Sequence, residues 1–259
     1  MLIGAMNHPQ ADVIEEIQWM AEMGLGFLDL TLEPPAATPE RIEVPAVADA
    51  LDRHHMAVVG HTAHYLPIAS PIESVRRGAM TELRRCLEVF AELGAEWVNV
   101  HPDPKMPMYS RKEMVARNLE SLKELQDDAT RLGVGLMVEN ISGHFNTVDQ
   151  LGELLEPMPE LALHLDIGHS NLEVPQNTAD DLIRTFKDRL EHVHLHDNKG
   201  GSADLHLPLG TGSVDYCGHM VTLKEAGYDH TITLEVFSPD PHHFKYSRDM
   251  LRKAWEAAG

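Results

Sequence analysis

Histidine and carboxylate side chains recur in this chain at the ends of short apolar runs. Val58-Val59-Gly60 leads into His61, and Val98-Asn99-Val100 leads into His101. Leu136-Met137-Val138 ends at Glu139, and Thr233-Leu234 at Glu235. Leu163-His164-Leu165 leads to Asp166 and His169, and His192-Val193-His194-Leu195-His196 to Asp197. A single such residue on a strand is ordinarily a hydrogen-bonded structural group. Several imidazoles and carboxylates converging on one point are different, because unpaired they carry a heavy desolvation cost. A divalent cation removes that cost, and mixed His/carboxylate ligands suit Zn²⁺ or Mn²⁺. The chemistry expected is metal-assisted polarisation of a carbonyl or phosphoryl group, with carboxylates moving protons.

Convergence requires elements that bring those ends together. Strand-like runs are predicted at residues 2–7, 27–33, 57–63, 97–102, 135–141, 161–169, 191–197 and 231–237. They alternate with amphipathic helical stretches such as 12–23, 72–93, 111–132 and 178–190. In the first, Val13, Ile14, Ile17, Met20 and Ala21 form one apolar stripe. Gly24, Gly94, Gly133 and Gly227 each punctuate the passage from a helical stretch to the next strand. Eight strand–helix units in 259 residues predict an α/β fold, a single (β/α)8 TIM barrel over residues 1–259. An open doubly wound sheet would ordinarily show a glycine-rich turn after its first strand, where this chain has Asn7-His8-Pro9-Gln10. Strand ends of a barrel meet at one mouth. Period-2 alternation places His192, His194 and His196 on one face and Val193 and Leu195 on the other, with the histidines turned into the barrel.

Composition narrows the partners. With 21 Lys+Arg against 41 Asp+Glu, the formal charge is −20, which disfavours a general polyanion-binding surface. Cys86 and Cys217 are far apart, belong to no ligand motif, and imply no disulfide framework. Met1 to Pro9 lacks a basic segment followed by an apolar core, and no apolar stretch approaches membrane-spanning length, so a cytoplasmic protein without membrane partners is expected. Gly210-Thr211-Gly212 reads as a turn entering a helix, and His242 and His243 as surface or helix-entry residues.

The residues taken in order are similar to a known family. His61-Thr62-Ala63-His64-Tyr65-Leu66, Asn99-Val100-His101-Pro102, Val138-Glu139-Asn140, Leu165-Asp166-Ile167-Gly168-His169, His194-Leu195-His196-Asp197, the run Asp204 to Gly212, and Leu234-Glu235 resemble the xylose isomerase-like barrel superfamily over nearly the whole chain. That superfamily holds sugar (phosphate) isomerases and epimerases and the endonuclease IV family. The resemblance implies a one-metal set of Glu139, Asp166, His194 and Glu235, acting on a small sugar, sugar phosphate or keto-acid through an enediolate. Glu139 and Glu235 would then be the metal-bound acid/base pair. The alternative it implies is an abasic-site phosphodiesterase with a trinuclear zinc cluster, adding His61, His101, His169, Asp204 and His206, so that one to three ions are expected. Nucleic acid is a partner under that alternative alone. The loop Glu33-Pro34-Pro35-Ala36-Ala37 carries no Arg or aromatic residue for entering DNA, and Glu33 looks more like the sugar isomerase pattern. His64 and Lys199 are expected to contact substrate, and association into a homo-oligomer is left open.

Overall fold

The computed structural model describes residues 1–259. Eight strands, β1 (Leu2–Met6), β2 (Phe27–Leu32), β3 (Ala57–Thr62), β4 (Trp97–Val100), β5 (Gly135–Glu139), β6 (Ala162–Asp166), β7 (Leu190–Leu195) and β8 (Thr231–Leu234), alternate with eight helices. These are α1 (Val13–Glu22), α2 (Val44–His54), α3 (Glu73–Glu92), α4 (Arg111–Leu132), α5 (Val148–Leu155), α6 (Ala179–Phe186), α7 (Tyr216–Glu225) and α8 (Pro241–Ala257). The strands close into a barrel in chain order, and the described pairs run parallel. The expected (β/α)8 barrel is therefore what the chain adopts.

Helix boundaries follow local chemistry. Asp12 caps α1 by accepting from the backbone N–H groups of Ile14 and Glu15. Ser110 and Glu113 form a reciprocal capping box at the start of α4, and Gly133 ends that helix at φ 77°, a left-handed conformation that favours glycine. Asp240 caps α8, whose first residue is Pro241, so His242 and His243 enter that helix as expected.

Contacts divide the chain into two compact units. In the unit holding β2 to β5, every residue of β2 is buried, as befits a parallel strand covered on both faces. Phe27, Val59, Met137 and Ala162 pack with Trp97 into an apolar cluster. Two residues further along the same strand faces stand Asp29, His61, Asn99 and Glu139, so apolar filling gives way to polar groups toward the strand ends. The other unit contains most of β1 and of β6, with β7 and β8; there His164 packs tilted against His192 and edge-on against His194, at ring distances of 4.8 and 4.1 Å.

Outside the β2–β5 sheet, Arg76 of α3 is 1% exposed and fully buried among partners. Its guanidinium donates to Glu73, to Ser121 Oγ at 3.0 Å and to Glu124 at 3.0 Å. Arg76 holds the Glu73 carboxyl down at about 2. Arg76→Ala leaves those carboxylates without their cation and a void between α3 and α4, and is expected to destabilise the fold by about 3 kcal/mol in urea unfolding. Because Glu73 is depressed on folding, its stabilising contribution is present above the unfolded carboxyl range and disappears as pH falls from about 4.5 toward about 2.

Candidate metal centre and active site

In the β2–β5 unit, β3, β4 and β5 deliver three ligands to one place. His101 Nε2 lies 2.8 Å from Glu139 Oε2, and His61 Nε2 lies 3.9 Å from the same oxygen. The ligand atoms of His61, His101 and Glu139 all fall within 4.8 Å of one another. Asn99, one strand position before the end of β4, donates from Nδ2 to Glu139 Oε2 at 2.7 Å. Asp29 Oδ1 stands 3.7 Å from His61 Nδ1. Burial pushes the His101 imidazole down in spite of the neighbouring Glu139 charge, so this ring is neutral at physiological pH with a lone pair available to a cation. His64 is exposed at the rim, its ring edge-on to His101 at 6.2 Å. Tyr65 follows it, its hydroxyl held up by partial burial and by Glu33.

The second group stands at the ends of β6, β7 and β8, in the other unit. Asp166 and His194 are register partners. His194 Nδ1 sits 3.0 Å from Glu235 Oε2, the residue immediately after β8. Asn140 fixes this corner: it accepts from the Asp166 backbone N–H at 2.6 Å and donates to the Asp166 carbonyl at 3.0 Å. His169, in a single helical turn after β6, donates its backbone N–H to Asp166 Oδ1 at 2.9 Å. Its Nε2 lies 3.1 Å from Asp204 Oδ2, and His206 Nε2 lies 3.0 Å from the same oxygen. Burial would raise the Asp204 carboxyl, but these two imidazoles hold it well below its ordinary range. Burial would lower His206, yet Asp204 and Glu235 raise it.

The β7–α7 loop that carries Asp204 and His206 is gripped by Asp197. That carboxylate is fully buried and accepts four backbone N–H groups, from Asn198 and Val214 on Oδ1 and from Gly210 and Gly212 on Oδ2, at 2.8 to 3.0 Å. The Gly210–Gly212 turn thus spends its amides on Asp197. An added Cβ at Gly212 would sit 2.3 Å from Asp197 Oδ1 and 2.1 Å from the Asn198 carbonyl oxygen, which explains the glycine. Asp197→Asn turns one acceptor into a donor facing donors. Metal affinity at the Asp204–His206 end is expected to fall ~10–100-fold, with ~2 kcal/mol of stability lost; metal titration and thermal melting would measure both.

All nine sequence-predicted ligands therefore fall in one or other group. Lys199 does not: it is exposed on the β7–α7 loop. Sequence reasoning passed over Asn99, Asn140, His196 and Asp197 as site residues. The alternation that selected His101 also places Asn99 on its face, and the same rule aligned His196 with His194. Nothing in sequence announced that Asp197 grips a distant turn.

The donor set fits a divalent cation. Imidazole nitrogens and carboxylate oxygens face one another at ligand-to-ligand distances, and the buried Nε2 of His196 has no hydrogen-bond partner.

A family model described as xylose isomerase-like TIM barrel matches residues 17–254. The chain belongs to that family. It is 30% identical to an uncharacterized protein of Methanocaldococcus jannaschii over 193 residues, 71% of this chain and 66% of that one. It is 25% identical to an L-ribulose 3-epimerase of a Methylomonas species, over 92% of this chain and 83% of the relative. Among solved structures, a D-tagatose 3-epimerase-like protein superposes with a TM-score of 0.88 at 24% identity, covering 100% of this chain and 98% of that one. No helix is long and apolar enough to cross a membrane.

Proposed function

We propose that this protein is a metal-dependent epimerase or isomerase of a small ketose, sugar phosphate or keto-acid, with Glu139, Asp166, His194 and Glu235 as the metal ligands. The observation that carries the reading is the Glu235 carboxylate set 3.0 Å from His194 beside Asp166 at adjacent strand ends. The kinship with an L-ribulose 3-epimerase across 92% of the chain supports it. A divalent cation held by these four residues would polarise the substrate carbonyl and acidify the adjacent C–H. Glu139 and Glu235 are the proton-transfer groups: one carboxylate removes the proton from carbon, and the other returns it to the opposite face, inverting the centre. Asn99 holds the Glu139 carboxylate through its 2.7 Å hydrogen bond, and His64 is assigned to contact substrate hydroxyls, which its exposed position beside His101 supports.

The test is exchange of substrate C–H with deuterated solvent across a panel of ketoses and keto-acids. Exchange without any product epimer or isomer across the panel counts against the reading, and so does no exchange at all.

A second reading, an abasic-site phosphodiesterase, is favoured by one observation: His61 and His101 gather on Glu139, and His169 and His206 on Asp204, which is more ligands than one ion uses. Incision of an abasic oligonucleotide with three zinc ions per chain would favour it. Under that reading His206→Ala is severe.

A further inference from the structure

A ketose phosphate differs from its parent sugar by one anionic group at the end of the chain remote from the reacting carbons. Barrel enzymes that grip such a group do so with backbone N–H donors of the loops after the seventh and eighth strands and an adjoining helix N-terminus. Here those donors are already committed. Gly210, Gly212 and Val214 donate to the Asp197 carboxylate at 2.9, 2.8 and 3.0 Å. Between them, Thr211 donates to the Pro208 carbonyl at 3.2 Å and Ser213 to that of Asn198 at 2.7 Å. Every amide from Gly210 to Val214 is thus spent inside the loop, and the anion seated on the turn is the protein's own fully buried Asp197.

The adjoining helix starts are filled in the same way. Asp215 caps α7 by accepting from the Gly218 N–H at 3.1 Å, and Asp240 caps α8 by accepting from the His242 N–H at 2.9 Å. Each cap puts a negative charge where the helix dipole would otherwise favour an incoming anion. Counter-charge is scarce. The segments between each strand and its following helix hold eleven Asp and Glu against three cations, Arg41, Lys105 and Lys199. Asp204 and Glu235 stand in the candidate ion-binding groups, and the other nine still outnumber the cations three to one. All three cations are exposed, and the Arg41 guanidinium already donates to the Pro35 carbonyl at 2.7 Å.

We propose that the substrate is a free ketose and that the site selects against the same sugar carrying a terminal phosphate. The inference rests on the epimerase reading and narrows it to one substrate class. A phosphate monoester brings roughly −1.5 to −2 charges at neutral pH. At the β7 and β8 end it meets no unspent amide in the Gly210–Val214 turn and finds carboxylates at both helix starts. Like charges set against one another are how a site rejects a wrong partner. An uncharged hydroxyl at the same end of the sugar meets no such opposition.

The test gives the metal-loaded wild-type protein a panel of ketopentoses and ketohexoses, each in three forms. These are the free sugar, its terminal phosphate ester, and its terminal acetate ester, which adds bulk without charge. Product formation and exchange of substrate C–H with deuterated solvent give kcat/KM for every form. The free and acetylated sugars are expected to agree within about tenfold, and the phosphate ester to be at least ~100-fold poorer, chiefly through KM. A phosphate ester used within about tenfold of the free sugar, or better than it, overturns the proposal and leaves the epimerase reading standing. An acetylated sugar rejected as strongly as the phosphate also overturns it, because bulk and not charge then sets the choice. No exchange with any form removes the epimerase reading and this inference with it.

Discussion

Glu235→Gln is expected to reduce epimerisation by roughly 10³-fold or more, within the range that loss of a positioned acid/base group produces. The substitution is nearly isosteric, and a glutamine oxygen can still take the place of Glu235 Oε2, 3.0 Å from His194 Nδ1, as a neutral donor to the ion. What it removes is a negative charge and a group able to carry a proton. Turnover should therefore fall while the fold and the β7–β8 register survive, and metal affinity should weaken less than activity does. The measurement is solvent exchange and product formation on the best ketose, with the ion content of the same sample determined in parallel. A variant that still holds its ion and turns over at a near-normal rate would remove Glu235 from the proton-transfer role.

Stripping the metal is the second large effect. Chelation should abolish activity, and Zn²⁺ or Mn²⁺ should restore it. The stripped protein should also melt earlier, because carboxylates buried at strand ends lose the charge that compensates them: Asp166 is fully buried and Glu139 is 1% exposed. A ligand that binds only the folded state at one hundred times its dissociation constant contributes about 2.7 kcal/mol. For a barrel of this size that amounts to a melting shift of about 5–10 °C. Differential scanning calorimetry with and without chelator would show it, and full activity in verified metal-free protein would contradict the proposed chemistry.

The two effects rest on different depths of evidence in the chain. Strand–helix alternation is a local pattern and was enough to foresee the barrel; the placement of His, Asp and Glu at strand ends singled out residues that the fold gathers into polar groups, such as His61 and His101 with Glu139. Lys199 shows the limit: its place in a loop near the motif suggests a substrate contact, but a loop residue's direction is set by turns whose partners lie elsewhere, and the alternation of strands carries no information about it. Arg76 shows another: its burial depends on Glu73, Ser121 and Glu124 meeting it from two helices, a juxtaposition that helical periodicity does not encode.

By itself the sequence determined the fold class, the strand faces and the identity of the groups able to bind a cation, because 2.0- and 3.6-residue periods translate directly into which side chains share a surface. The tertiary structure decided how those groups are held. Asp197 gathers the amides of Gly210, Gly212 and Val214 from a turn 13 to 17 residues away, Asn140 locks Asp166 from the neighbouring strand, and carbonyls from three segments face the imidazoles around Asp204. Those relations are distances between remote parts of the chain, so only closure of the fold could set them.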